Sequence, residues 1–183
     1  MTKRQMIIYG AIFSLIVVFS NYAVQFQIGT TYLTWGAISY PFSFLMLDIL
    51  SEKNPKRDVL KALRFGIFFA FIPSLFLSEP RFAIASICAF IISQPIDVNL
   101  FFFFKKRLPK LWWLRNNAST IIAQFFDTMI FFTLAFFVLG DKALGAVVLM
   151  ALLDFSVKIA LSIMDTPFFY LFAVRIKQRI LPI

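Results

Sequence analysis

Six long apolar stretches alternate along the chain with short polar or basic segments. A membrane-spanning α-helix needs about 20 mostly apolar residues. The pattern therefore predicts an all-α polytopic membrane protein whose six transmembrane helices form one domain, residues 1–183, with no soluble appendage. The predicted helices cover about residues 6–24, 33–50, 60–77, 81–104, 117–139 and 143–174.

Two of these helices depart from a simple span. The third has a charge-free run of only Phe65 to Ser78, so Lys61 and Arg64 would have to snorkel to the surface to extend it. The sixth would be about 48 Å long, against an apolar membrane core of about 30 Å. We expect it to tilt, to turn along the surface at one end, or to break near Asp165-Thr166-Pro167.

Basic residues mark one side of the predicted topology. Of the 18 lysines and arginines, 15 lie before the first helix or after the second, fourth and sixth, whereas the opposite loops hold Arg81 and Lys142. Because basic loops stay in the cytoplasm, both termini are predicted there, and the run after Met1–Arg4 is expected to be a retained helix. Topology thus accounts for the net charge of +9, and no nucleic-acid partner is predicted. Trp112 and Trp113 are predicted in the cytoplasmic loop before the fifth helix.

Composition excludes several kinds of site. The chain has no histidine and a single cysteine, Cys88, which rules out an intrachain disulfide, a histidine-based metal site and a Ser-His-Asp triad. It also has no HExxH, Gly-x-Ser-x-Gly or P-loop motif. We therefore expect no enzyme, no cofactor and no metal. A membrane enzyme with a carboxylate-rich metal site is the disfavoured alternative.

Charged residues inside the predicted spans are the candidates for function, since a charge at the bilayer centre costs about 2.5–3.5 kcal/mol and tends to face a protein interior or a water-filled cavity. They are Asp48, Asp97, Asp127, Asp154, Lys158 and Asp165. Gln94 and Gln124 each precede an acid by three residues and so share its helix face. This pattern indicates a polar site inside a helical bundle.

Depth along the helices supports a shared site. Asp127 follows Arg115 by 12 residues, which is about 18 Å along a helix, and Asp97 precedes Lys105 by 8 residues, or about 12 Å. Asp154 is about as deep as Asp127 from the opposite side. These depths predict a polar chamber near the middle of the membrane that extends toward the cytoplasm.

The alternative is a purely structural role. Asp154 and Lys158 are four residues apart and could pair only with each other, while amides and hydroxyls often hydrogen-bond across membrane helices. Lys158 can neutralise only one acid, however, so the other acids need protons, donors or a ligand. Carboxylates beside amides suit a guanine-like edge, with aromatic rings stacking on its faces, although many polar solutes would fit equally well.

Four motifs carry a resemblance to a known family. They are Ser39-Tyr40-Pro41-Phe42-Ser43-Phe44-Leu45 with Asp48-Ile49-Leu50-Ser51-Glu52, Ile92-Ser93-Gln94-Pro95-Ile96-Asp97-Val98, Leu114-Arg115-Asn116-Asn117-Ala118-Ser119-Thr120 with Gln124 and Asp127-Thr128, and Lys158 with Asp165-Thr166-Pro167. In this order and spacing they resemble the bacterial queuosine-precursor transporter family, also called the vitamin uptake transporter-like family. One departure is Lys53-Asn54-Pro55-Lys56, where the family commonly has an aromatic-Gly turn.

The resemblance implies a multi-pass protein of the bacterial inner (plasma) membrane that imports 7-deazaguanine bases for tRNA queuosine salvage. Cyano- and aminomethyl-deazaguanine are the implied solutes, and some relatives take the finished base. Resemblance and residue pattern together predict substrate contacts at Gln94, Asp97, Asn117, Gln124, Asp127, Lys158 and Asp165. They predict gating or supporting roles for Asp48, Glu52, Arg115, Asn116 and Asp154.

Other transport functions stay open at this point. The chain is also the size of a substrate-binding subunit of an energy-coupling-factor vitamin or nucleobase transporter, or it could import another small polar solute. Its partners would be the small-molecule substrate and the lipid bilayer, with a homo-oligomer among the open alternatives. Energy coupling is open too, because Asp97 or Asp165 could carry a proton, while a facilitator driven by metabolic trapping would use the same residues.

Overall fold

The computed structural model describes residues 1–29 and 33–175, whose regular structure is helical. The α-helices are α1 (Lys3–Ala23), α2 (Trp35–Ser39), α3 (Pro41–Lys53), α4 (Lys56–Leu77), α5 (Pro80–Arg107), α6 (Trp112–Phe132), α7 (Leu144–Met164) and α8 (Thr166–Phe169). π-Helical segments extend α6 over Thr133–Val138 and α8 over Tyr170–Arg175. Lys177 and Arg179, which contributed to the topology prediction, lie outside the described residues.

Within the described residues, five helical stretches are long and apolar enough to cross a membrane: Lys3–Ala23, Lys56–Leu77, Pro80–Arg107, Trp112–Val138 and Leu144–Arg175. This confirms the predicted all-α polytopic class. The second predicted span, residues 33–50, is not among these five, because it is divided into α2 and α3. Pro41 is the first residue of α3, and since proline has no N–H to donate, the helical hydrogen bonds are interrupted there.

Several helices begin earlier than the sequence predicted. In α1, Gln5 N–H donates to Thr2 Oγ1 (3.2 Å) while Gln5 Oε1 accepts from Thr2 N–H (2.9 Å), so the helix starts at Lys3. The prediction of Trp112 and Trp113 in a loop is wrong, because both lie in the first turn of α6. The reason is packing, since the Trp112 ring stacks on Phe169 of α8 at 6.2 Å between centroids.

The last helix breaks near Asp165-Thr166-Pro167, which is one of the three alternatives that the sequence left open. α7 ends at Met164, Asp165 lies between the two helices, and α8 begins at Thr166 with Pro167 in its first turn. Because proline cannot donate to a preceding carbonyl, α7 cannot continue through this point.

Glycines allow α1 and α4 to pack closely. A Cβ built on Gly10 would lie 2.5 Å from Cδ1 of Phe65, and one built on Gly66 would lie 2.8 Å from the backbone oxygen of Gly10. The core around this contact is apolar and includes Phe13, whose side chain is fully buried. α5 and α6 pack along each other in the same bundle, and they carry most of the predicted site.

Ion pairs gather the basic segments at one end of the bundle, hereafter the basic end. The N-terminal amine lies 2.9 Å from Oδ2 of Asp58 at the start of α4. At the same end, Glu52 near the end of α3 meets Lys105 of α5 and Arg115 of α6. The opposite end of the bundle, the far end, holds Glu79 and Arg81. This grouping agrees with the predicted topology, in which the basic end is cytoplasmic.

Candidate functional site

A cavity of about 770 Å³ enters the bundle from the far end. Its rim is formed by charged and polar side chains, Gln25, Glu79, Arg81 and Lys142. Much of its wall is formed by aromatic rings, those of Tyr40, Phe82, Phe131, Phe132 and Phe136. Its inner end is formed by the carboxylate of Asp154 and the ammonium of Lys158. This cavity extends from Asp154 and Lys158 toward the far end, whereas the sequence predicted a polar chamber extending toward the cytoplasm.

One lysine lies within ion-pair distance of two carboxylates near the inner end of the cavity. Lys158 Nζ lies 2.9 Å from Oδ2 of Asp154 and 3.8 Å from Oδ2 of Asp127, and it donates to Thr128 Oγ1 at 3.1 Å. Asp127 also accepts a hydrogen bond of 2.8 Å from Ser93 Oγ. α5, α6 and α7 are therefore tied together by a buried cluster with two acids and one cation.

Two buried amides lie next to this cluster on the side of the basic end. Gln94 donates from Nε2 to Ser43 Oγ at 3.2 Å, while its Oε1 has no hydrogen-bond partner among the described residues. Gln124 accepts at Oε1 from Ser162 Oγ at 2.9 Å, while its Nε2 has no partner there. Leaving a buried polar atom unpaired costs about 1–3 kcal/mol. The two amides thus leave one acceptor, Gln94 Oε1, and one donor, Gln124 Nε2, without a hydrogen-bond partner among the described residues.

Three more acids follow toward the basic end. Asp97 is fully buried, and neither of its oxygens has a hydrogen-bond partner in the described part of the chain. The hydroxyls of Ser119 and Thr120 lie beside it, but Ser119 donates to the backbone and Thr120 donates to Oδ2 of Asp48 at 2.8 Å. Asp165 is near enough for its charge to act on both Asp48 and Asp97.

Two basic side chains meet one carboxylate at the basic end. Arg115 Nη2 donates to Oε2 of Glu52 at 2.8 Å, and Lys105 Nζ lies 3.4 Å from the same oxygen. Arg115 also donates to the backbone oxygen of Pro109 at 3.1 Å, and Lys105 donates to the backbone oxygens of Ser51 and Glu52. Glu52 and Arg115 are both buried and Lys105 is partly buried, and their contacts link α3, α5 and α6.

Two predicted site residues lie at the margins of this track. Asn117 donates to the backbone oxygen of Trp113 and to Thr166 Oγ1 (both 2.9 Å), which joins α6 to the helix break rather than to the cavity. Asn116 is buried beside Arg115, and its Oδ1 has no partner among the described atoms. The other predicted residues lie along a single polar track from Asp154 to Glu52.

Sequence reasoning missed a second buried network along the cavity wall. Asn21 of α1 donates to Ser74 Oγ of α4 at 2.9 Å and accepts a hydrogen bond from the Tyr40 hydroxyl. The Tyr40 ring in turn lies 5.3 Å from Nζ of Lys158, at cation–π distance. A signal was available, because Asn21 and Ser74 are polar residues inside apolar runs.

Comparisons with known proteins point to one family. A family model described as "Putative vitamin uptake transporter" matches residues 72–172. The chain is 30% identical over 172 residues to the queuosine precursor transporter of Escherichia coli (strain K12), covering 81% of this chain and 77% of that protein. It is 29% identical over 162 residues to a probable queuosine precursor transporter of Bacillus subtilis (strain 168), covering 75% of this chain and 70% of that one. It is also 26% identical over 174 residues to a probable queuosine precursor transporter of Haemophilus influenzae, covering 76% of this chain and 73% of that protein. No solved structure matches.

Proposed function

Because the chain belongs to the family of putative vitamin uptake transporters, we propose that it imports a queuosine precursor, a 7-deazaguanine base, for tRNA queuosine salvage. Family membership makes it a multi-pass inner-membrane transporter and not an enzyme. The names of its relatives support the solute, and the aromatic-walled cavity supports a route for a planar base.

The observation that carries the proposal is the pair of half-satisfied amides. A guanine-like edge presents a carbonyl acceptor beside N–H donors. The unpaired Nε2 of Gln124 can donate to the carbonyl, and the unpaired Oε1 of Gln94 can accept from an N–H. Asp127 does not line the cavity, but it can accept from the ring N–H and the exocyclic amine once the base moves inward from the cavity to the amides. The base then binds between α5, α6 and α7, with Lys158 at its edge.

The closed basic end and the open far end support a direction of entry. With the basic end cytoplasmic, as the basic loops predict, the cavity opens to the outside, and the solute enters past the rim. Release then requires the contacts among Glu52, Arg115 and Lys105 to separate. Asp97, Asp48 and Asp165 line the remaining path between the amides and this closure. Asn116 lies at the closure, and Asn117 acts at the helix break.

Binding to the purified protein tests the proposal. Cyano- and aminomethyl-deazaguanine and queuine are titrated against protein in detergent, with guanine as competitor. We expect saturable binding that Asp127→Asn and Gln124→Ala abolish. Asn99→Ala is the matched control and should leave binding intact, because within the described residues this exposed amide of α5 bonds only to the backbone oxygen of Pro95.

Two outcomes would overturn parts of this proposal. Absence of binding by all three compounds, in folded wild-type protein, removes the solute class. Normal binding by both folded site variants removes the site. Uptake into vesicles that contain this chain alone would also exclude the energy-coupling-factor alternative, which needs separate ATPase and coupling subunits.

A further inference from the structure

Resting on the proposed function, we infer that the transported base carries an ammonium group, which binds Asp154 at the inner end of the cavity. Among the queuosine precursors considered above, this selects the aminomethyl base over the cyano base. The two share the same planar ring and hydrogen-bonding edge, and they differ at one substituent. A primary alkylamine is protonated at neutral pH, as the lysine side chain is, whereas a nitrile is neutral.

The first argument is the charge of the inner cluster. Asp127 and Asp154 share the single ammonium of Lys158, and within the described residues no other cation lies within ion-pair distance of either acid. The cluster therefore has one carboxylate more than it has cations. A buried acid without a cation takes up a proton or finds a cation, and a ligand ammonium would supply that cation to the ionised form.

The second argument is geometry. Asp154 is 7% exposed and lines the cavity, so a ligand can reach its carboxylate. Asp127 does not line the cavity and already accepts a hydrogen bond from Ser93. Lys158 Nζ lies 2.9 Å from Oδ2 of Asp154 and 3.8 Å from Oδ2 of Asp127, so a side-chain movement of about 1 Å exchanges one partner for the other. An entering ammonium can take Asp154 while Lys158 moves to Asp127, and each acid then has its own cation.

The third argument is the charge beyond the cluster. Toward the basic end lie Asp97, Asp48 and Asp165, and Asp97 is fully buried with both oxygens unpaired within the described chain. The basic groups at that end, Arg115 and Lys105, are directed to Glu52. In their ionised form these acids make the path ahead of the ligand favourable for a cation and unfavourable for an anion.

Charges at the rim do not cancel this preference. Arg81 forms an ion pair of 2.8 Å with Glu79, so the two neutralise each other. Lys142 is exposed at the far end and precedes Asp154 by 12 residues, which span about 18 Å when helical. At this distance Lys142 is too far away to form an ion pair with Asp154.

The test compares the affinities of the two bases for three forms of the full-length protein in detergent at pH 7. Wild type should bind the aminomethyl base about tenfold tighter than the cyano base, or more, as expected for one partly screened ion pair. Asp154→Asn should bring the two affinities within about twofold of each other, mainly by weakening the aminomethyl base. Asp141→Asn, which removes an exposed carboxylate at the far end outside the cavity, should keep the wild-type ratio.

The outcomes separate this inference from the proposed function. If neither base nor queuine binds to folded wild-type protein, the proposed function itself fails. If both bind but the cyano base binds as tightly as the aminomethyl base, the function stands and the ammonium site is wrong. The ammonium site is also wrong if the preference persists in folded Asp154→Asn protein. Asp154→Glu, which keeps the carboxylate, should retain the preference, and the wild-type ratio alone decides the question if Asp154→Asn does not fold.

Discussion

Glu52, the next-to-last residue of α3, accepts a hydrogen bond of 2.8 Å from Arg115 in the first turn of α6. The two residues are 63 positions apart in the chain, and both side chains are buried. Lys105 from the end of α5 approaches the same carboxylate oxygen at 3.4 Å. Side chains from α5 and α6 therefore contact one carboxylate of α3 at the basic end, whereas the cavity is open at the far end.

Removing this carboxylate should open the basic end. Glu52→Gln leaves Arg115 buried without a charged partner, and breaking a buried pair this way typically costs about 3–5 kcal/mol in the closed state. We expect a cysteine at Ser119, in a Cys88→Ser background, to react several-fold faster with a membrane-impermeant thiol reagent applied from the basic side. Inside-out vesicles provide that access.

Asp58→Asn is the matched control for this experiment. It breaks another ion pair at the same end, with the N-terminal amine, away from the polar track. Its labelling rate should equal that of the background protein. Equal rates in Glu52→Gln and in the background would show that these contacts do not close the path.

Lys158 should stabilise the folded bundle through charge balance. Lys158→Met leaves Asp127 and Asp154 buried without a cation, so we expect a loss of stability of about 3–5 kcal/mol. Adding Asp154→Asn to that variant removes one of the two unpaired charges and should recover part of the loss. The midpoint of thermal unfolding in detergent, followed by intrinsic tryptophan fluorescence, measures both. A double variant as unstable as Lys158→Met alone would contradict the pairing.

Gln124 should recognise the base through its unpaired Nε2. Gln124→Glu keeps the oxygen that accepts from Ser162 but loses the N–H donor, so uptake of the base should fall about 5- to 150-fold, as expected for about 1–3 kcal/mol. Ser162→Ala keeps the donor and loses only its positioning, so its effect should be smaller. Initial uptake rates in cells, normalised to the amount of inserted protein, give the comparison. The reverse order of effects would assign Gln124 a structural role.

Close packing of α1 on α4 should make Gly66 intolerant of a side chain. In Gly66→Ala the new Cβ would lie 2.8 Å from the backbone oxygen of Gly10 and 2.7 Å from Cδ1 of Phe13, and backbone cannot easily move aside. Overpacking of this kind costs about 1–3 kcal/mol, so the unfolding midpoint should fall. Gly145→Ala, where a Cβ meets nothing within 4 Å, should leave the midpoint unchanged or slightly raised. Equal midpoints for the two variants would refute the close contact.

Much of the fold was predictable because membrane insertion depends on local sequence. Apolar runs predict membrane spans because their summed transfer free energy favours insertion. The charge of Asp97, Asp127, Asp154 and Lys158 within such runs predicted that they face the protein interior, where the structure has them buried. The break after Met164 was predictable from Pro167. The start of α6 was not, because the stacking of Trp112 on Phe169 joins residues far apart in the chain.

The sequence by itself determined which residues are polar inside apolar helices, and local spacing already placed Asp154 four residues from Lys158. Only the tertiary structure decided that Asp127 is the second partner of Lys158, because that contact depends on how α6 packs against α7. It also directed Asn117 toward Thr166 and away from the cavity. It also decided that the cavity opens at the far end and that Glu52, Arg115 and Lys105 meet at the basic end, because both depend on contacts between separate helices.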